Sequence, residues 1–221
     1  MTIDDSIAWN YFIKDKDLVK NIFIFYVLIL LGGPFIIPYI IIIGYYYNNA
    51  HYRMIKPQDK VIEWEDFASF TICGLKVFGI SCILFPIFLI FAILYFLPQV
   101  NNEASWQAFG WIIPFVVPLL YLVFLPIPLS IVTMPFLRDL KFKSFFNFEM
   151  LLNFVKNKQF LSYFLRIILY IIIFYSICLL LVFKTNLVGI IFIPALMYIY
   201  IAVLSDIQAQ YARIVFNIDT K

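Results

Sequence analysis

Between residues 77 and 97 the chain runs through VFGISCILFPIFLIFAILYFL without one charged side chain. As a helix this stretch is about 30 Å long, the thickness of a bilayer's hydrocarbon core, and a helix satisfies its backbone polar groups internally. No other feature limits the fold as strongly, because in water such a helix must be covered on every side. Further apolar runs occupy residues 22–47, 112–134, 161–183 and 187–204. With 64% hydrophobic and 13% charged residues, the chain has too little polar surface to cover them, since soluble domains carry about 25% charged residues. The expected fold is an all-α integral membrane protein, one polytopic domain over residues 1–221. It has a broken or re-entrant first element, four transmembrane helices at 77–97, 112–134, 161–183 and 187–204, and amphipathic interfacial helices on the cytoplasmic side.

Residues 1–20 open with acidic residues and contain no cleavable signal pattern. Ile7, Tyr11, Phe12, Leu18 and Val19 recur at spacings that suit one or two short interfacial helices. The run at 22–47 is interrupted by Gly32, Gly33, Pro34 and Pro38, which break helices by backbone freedom and by loss of an N–H donor. Two half-length helices, 22–31 and 35–47, make a re-entrant hairpin whose irregular tip needs protein cover; a full crossing is the alternative. Charge favours the hairpin. Lys14, Lys16 and Lys20 precede the run and Arg53, Lys56, Lys60 and Lys76 follow it, so both flanks suit the cytoplasm. Residues 98–110 hold no Lys or Arg, whereas Arg138, Lys141, Lys143, Lys156 and Lys158 crowd the next loop. This alternation predicts a cytoplasmic C-terminus.

The polar interval at 48–76 reads as a continued helix to Met54, a turn at Pro57, and a second interfacial helix with Trp64 and Phe67 at the headgroup level. Trp106 and Trp111 suit the outer interface. The run at 112–134 carries Pro114, Pro118, Pro126 and Pro128, with Pro135 just beyond, so it is kinked; Ser130 and Thr133 can partner its freed carbonyls. In the basic loop, Phe145, Phe148, Leu151 or Leu152, and Val155 form an apolar stripe ending in Lys156 and Lys158. Trp64, Phe67, Arg138, Lys141, Lys143, Lys156 and Lys158 are therefore the candidate contacts for lipid or a partner. The last two spans are joined by three residues, 184–186, which forces an antiparallel hairpin. Arg166 reaches the inner surface by snorkelling. Asp206 and Arg213 lie past the final span on a polar helical tail, 205–221, where either pairs with a loop charge.

The Gly and Tyr closing the first apolar run, an Arg and a Pro in the polar interval, Trp64-Glu65-Asp66-Phe67 and Gly74-Leu75-Lys76 resemble a membrane family known as domain of unknown function 4013. Phe12-Ile13-Lys14-Asp15, Phe148-Glu149-Met150 with Phe154 and Tyr163, and Gln208-Ala209-Gln210-Tyr211 are similar to its recurring positions. The resemblance implies a multi-spanning bacterial or archaeal membrane protein with no assigned catalytic residues. It implies a fold rather than an activity.

The chemistry expected of other classes is missing. Every Asp and Glu falls in a terminus or loop by this reading, so no acidic or histidine side chain marks an ion path at membrane depth. The one histidine, His51, has at most Asp66 as a partner. There is no phosphate-binding glycine motif, no metal-ligand spacing and no GxxxG within the spans, which leaves helix packing to aromatic and β-branched surfaces. Cys73, Cys82 and Cys178 read as buried, reduced thiols. No catalytic, cofactor or metal site is expected, and no nucleic-acid partner, since the net charge of +3 is too small to argue for one. The expected function is non-enzymatic: an accessory subunit or scaffold whose partners are the lipid bilayer and another membrane protein or itself. The alternative is a small transporter or channel subunit using the proline-broken third span.

Overall fold

In the computed structural model, residues 3–32, 36–57, 64, 66–97, 106–107, 126–185 and 187–218 are described, and among them the regular structure is helical, with no strand. The elements are α1 (Asp5–Ile13), α2 (Leu18–Gly32), α3 (Ile36–Ile55), α4 (Phe67–Phe96), α5 (Pro126–Val132), α6 (Met134–Leu137), a 3₁₀ turn (Phe142–Phe146), α7 (Phe148–Lys156), α8 (Phe160–Thr185) and α9 (Leu187–Phe216). Three helices are long and apolar enough to cross a membrane, over Phe67–Tyr95, Phe160–Leu181 and Ile191–Phe216. The expected span at 112–134 lies outside the described residues as far as residue 125.

The axis of the fold is the segment expected to be a polar tail. It stays helical, as expected, and runs on unbroken from the span to Phe216 as one helix, α9, 30 residues in all and about 45 Å. Every residue from Ala202 to Arg213 is buried. The stretch contains neither Gly nor Pro beyond Pro194, so nothing local stops the helix. Its polar side chains read as solvent-facing only because their partners lie far away in sequence. The helix closes at Asn217, in a left-handed conformation (φ 50°), where the Ile218 amide donates back to the Arg213 carbonyl at 3.1 Å.

Around this axis α8 packs antiparallel, with Tyr163 stacked on Tyr211 at 4.4 Å and Phe174 on Tyr200 at 4.5 Å, so the expected hairpin is present. The first apolar run is broken where its glycines and proline predicted. Helix α2 runs antiparallel to α9, placing Phe25 on Tyr198 and the Tyr26 hydroxyl on the Ile191 carbonyl. Helix α3 runs parallel to α9, with Asn49 against Ser205 and Arg53 against Asp206. The two halves therefore form an antiparallel pair; their tip at 33–35 lies outside the described residues. Helix α1 is not a loose anchor. It lies on α9 with Ala8 and Phe12 buried, while Ile7, expected on the apolar face, is 44% exposed.

Helix α4 merges two elements expected to be separate. Asp66 caps it by accepting from the Ser69 amide at 2.9 Å, and it runs 30 residues through Pro86, so the second interfacial helix and the second span are one piece. It meets α3 at two glycines, where aromatic and β-branched surfaces with the occasional Ser, Ala or Cys were expected to pack the helices. Gly44 faces the backbone of Phe70, Gly74 faces that of Ile40, and a methyl group at either glycine would overlap the facing carbonyl. These pairings also make the two helices antiparallel. Backbones can come this close only where no Cβ intervenes.

Burial separates an inner helix from two outer ones. In their most apolar stretches α9 is 50% buried, α4 17% and α8 11%. Of the cysteines only Cys73 is buried; Cys178 is half-buried and Cys82 exposed, which corrects the expectation of three buried thiols.

The glycine contact predicts a clear contrast. Gly74→Ala should destabilise the protein by about 2 kcal/mol, the usual cost of overpacking, because the obstacle is backbone. Gly79→Ala, whose Cβ would meet the Phe142 ring at 3.5 Å, should be neutral or gain up to about 1 kcal/mol of helix propensity. Chemical denaturation in detergent micelles compares the two.

Candidate functional site

Two arrangements concentrate the polar chemistry of the described chain. The first is buried between α3 and α9. Arg53 and Asp206, 2% and 0% exposed, form an ion pair in which Nη2 lies 2.7 Å and Nε 2.8 Å from Asp206 Oδ1. The remaining Arg53 nitrogen, Nη1, donates to the Pro57 carbonyl. Asp206 Oδ2 accepts from Gln210 Nε2 at 2.7 Å. Gln210 also pairs with the backbone of Asp4, receiving its amide at 2.8 Å and donating to its carbonyl at 3.0 Å, which fixes the chain entering α1. One helical turn from Arg53, Asn49 donates to the Ser205 hydroxyl at 2.7 Å.

The i, i+4 spacing of Asn49 and Arg53 on α3, and of Asp206 and Gln210 on α9, sets matching polar stripes on facing helices. Neither stripe is recognisable alone. Asp206 had a loop charge as its expected partner, whereas its partner is on a helix and both are buried. The expectation that every acidic residue lies in a terminus or loop is overturned by the same pair, because Asp206 is inside a helix apolar enough to span.

On the other side of α9, Gln208 donates to the Thr133 hydroxyl at 3.2 Å and the Ser130 carbonyl at 3.4 Å, and the Tyr163 hydroxyl reaches the same carbonyl at 3.2 Å. The Ser130 carbonyl, at the break between α5 and α6, is thus taken up by neighbouring helices, while the Thr133 hydroxyl donates to the Leu129 carbonyl. Ser176, the other hydroxyl considered for a polar path, is exposed on α8 and does not join this group. His51 uses Nδ1 to donate to the Leu137 carbonyl rather than to meet Asp66. Arg166 pairs with Asp5 at 3.3 Å across to α1.

The second arrangement is at the C-terminal end of α9. Phe154 alone of α7 is fully buried, its ring 5.1 Å from Phe216, and its carbonyl accepts from the Tyr211 hydroxyl at 2.6 Å. That contact turns Phe148, Leu152 and Val155 outward, 67%, 55% and 43% exposed. Phe145, expected on the same stripe, is buried and stacked on Phe136 at 4.4 Å. Lys141, Lys143, Lys156 and Lys158 are exposed, and the exposed Arg138 lies over the Phe216 ring at 5.8 Å. A cavity of about 550 Å³ opens beside Arg138, walled by Met54, Met150, Asn153 and Phe216. The backbone leading into this region turns through Leu140 in a left-handed conformation (φ 52°), and Lys76 of α4 donates to the Leu140 carbonyl at 2.9 Å.

Of the residues singled out from the sequence, the five basic ones share this surface and Phe67 is 41% exposed at the start of α4. Trp64 is elsewhere: it is 4% exposed and stacks on Tyr45 at 3.9 Å, with Phe25 and Phe70 around it. The residues missed were Asn49, Arg53, Gln208 and Gln210. The available signal was three polar residues spaced i, i+2, i+4 within an otherwise unbroken helix at 206–210.

Two predictions follow from these geometries. Arg53→Met should cost about 3–5 kcal/mol by leaving Asp206 buried and unpaired, whereas adding Asp206→Leu should recover part of that loss; a double-mutant cycle by denaturation measures it. For Asp139, burial pushes the carboxyl up, but the Ser144 hydroxyl, the Lys141 amide and the Lys141 and Lys143 charges outweigh it and hold the group below its ordinary range. Its stabilisation is therefore present above the unfolded value of about 3.9 and lost as pH falls through the lower folded value. Amide exchange across residues 137–147 should accelerate there, and Asp139→Asn should remove the pH dependence.

A family model described as "Protein of unknown function (DUF4013)" matches residues 27–185, more than two-thirds of the chain. The match begins within α2 and ends at the last residue of α8. It includes Arg53, Gly44 and Gly74 but not Asp206. No curated protein and no solved structure gives a significant match.

Proposed function

The chain belongs to the DUF4013 family of proteins of unknown function, and from that premise we propose that it is a non-enzymatic, multi-pass protein of a prokaryotic inner membrane. In this reading it acts as an accessory subunit or scaffold, packing against another membrane protein or a second copy and organising nearby lipid. Its C-terminus and basic surface face the cytoplasm. One observation carries the reading: the charged pair inside the molecule, Arg53 with Asp206, is spent on groups of the chain itself, while the large apolar faces of α4 and α8 point outward. Asp206 accepts on both oxygens and Arg53 donates from all three nitrogens within the chain. A ligand at this point would have to displace bonds already made. The outer helices, by contrast, present Ile83, Ile87, Ile90, Phe91 and Leu94 on α4 and Leu161, Leu165, Leu169 and Ile172 on α8. Such faces suit lipid chains or the helices of a partner.

A second reading, a small transporter or channel subunit, draws on a different observation. An acidic residue, Asp206, sits in a helix apolar enough to span, close to the broken segment at α5 and α6. The separation of Ser176 from Ser130 and Thr133 weighs against a continuous polar path among the described residues.

Affinity purification from the source membrane in mild detergent, followed by mass spectrometry of the intact assembly, tests the first reading. A stoichiometric membrane partner or a defined homo-oligomer is the expected result. Recovery as a monomer with no reproducible partner would sink it. Sealed vesicles containing the purified protein would dissipate an imposed ion gradient only under the second reading.

A further inference from the structure

We infer that α7 is a membrane-surface helix that seats Phe148, Leu152 and Val155 in the headgroup boundary and holds anionic lipid phosphates with Lys156 and Lys158. This deepens the proposed function and rests on its premise that α8 crosses a bilayer.

At 100° per residue, Phe148, Leu152 and Val155 fall within an arc of about 60° on α7. Phe154 lies about 120° around from the centre of that arc, buried against Phe216 and Tyr211. Glu149 and Asn153 occupy a third sector and line the cavity beside Arg138. One sector is thus held by the protein, one faces a polar groove, and the third is apolar and exposed. The orientation is fixed at both ends. Asn147 caps the helix by accepting from the Met150 amide at 3.0 Å, and the Tyr211 hydroxyl grips the Phe154 carbonyl.

The depth of α7 follows from its connection. Only Asn157, Lys158 and Gln159 separate it from α8, and Asn157 holds that link by accepting from the Gln159 amide at 2.9 Å. If α8 spans, α7 lies within one short turn of the point where α8 enters the hydrocarbon. Leu161, Leu165 and Leu169, exposed at the start of α8, continue outward apolar surface from that point.

Charge chooses the bilayer over an apolar protein partner. Lys156 borders the apolar arc and Lys158 stands in the link, both exposed, while Lys141 precedes the 3₁₀ turn before the helix and Lys143 lies within it. The one acid of the helix, Glu149, faces the cavity instead. An apolar arc edged by lysines fits a surface of anionic phosphates over acyl chains.

The test uses the full-length protein in nanodiscs of phosphatidylcholine alone and of phosphatidylcholine with phosphatidylglycerol, with amide hydrogen exchange read over residues 148–156. Anionic discs should slow exchange about fivefold for each lysine captured by the surface potential. Lys156→Gln with Lys158→Gln should erase the difference, and so should 1 M salt, where the Debye length is about 3 Å. Both lysines are exposed, so the variant keeps the fold. Equal exchange in the two discs would overturn the inference, and so would protection only with a co-purified protein present. The comparison of the two discs is read whether or not the protein purifies with a partner, so the accessory reading and this inference fail separately.

Discussion

The Arg53–Asp206 pair is the interaction on which the rest of the structure depends. Two full charges removed from water cost several kcal/mol each, and mutual attraction offsets this only when their remaining hydrogen-bonding positions are also filled. Pro57 and Gln210 fill them here. The consequences spread from that requirement. α3 must lie along α9 in one register, which brings Asn49 to Ser205, and Gln210 is oriented to receive the backbone of Asp4 and so docks α1. A slide of α3 along α9 by one turn would leave two buried charges and several amides without partners. Apolar side chains alone would tolerate such a slide far better, because dispersion is nearly indifferent to which leucine meets which isoleucine.

With register set by polar groups, spacing is set by the smallest residues. Gly44 and Gly74 let α3 and α4 approach until backbone meets backbone, and Tyr45, one residue further, stacks on Trp64 beside that crossing. This is the economy expected where lipid competes with apolar side chains and helices gain most from close van der Waals approach. The outer faces of α4 and α8 retain their bulky aliphatic residues for contact beyond the chain. Aromatic residues such as Phe25, Phe136 and Tyr211 fill the interior around these polar and small contacts, so large apolar residues lie inside as well as on the outward faces of α4 and α8.

The elements legible in the sequence were those governed by local physics. The break of the first apolar run at its glycines and proline, the tight hairpin between α8 and α9, and the basic amphipathic stretch at Phe148–Lys156 all follow from residues close together in the chain. Errors fell where a partner was distant. Ser205, Asp206, Gln208 and Gln210 read as a solvated tail because polarity in a helix normally means water. Trp64 read as an interfacial ring because indole suits the headgroup region, yet Tyr45 and Phe25 enclose it. The first turns of α4 read as a separate helix because the composition changes from polar to apolar along it, but composition does not interrupt backbone hydrogen bonding.

What the sequence determined by itself is the inventory. It holds helices long and apolar enough to cross a bilayer whatever their neighbours, because the transfer free energy of an apolar segment is a sum over its own residues. The family assignment, carried by residues 27–185, adds relatives to that inventory without adding an activity. What only the tertiary structure decided is which side chains meet: that an arginine at 53 answers an aspartate at 206, that two glycines thirty residues apart share one crossing, and that α7 turns its apolar arc away from the core. These depend on pairing across the chain, where the energy belongs to the contact and neither residue carries it alone.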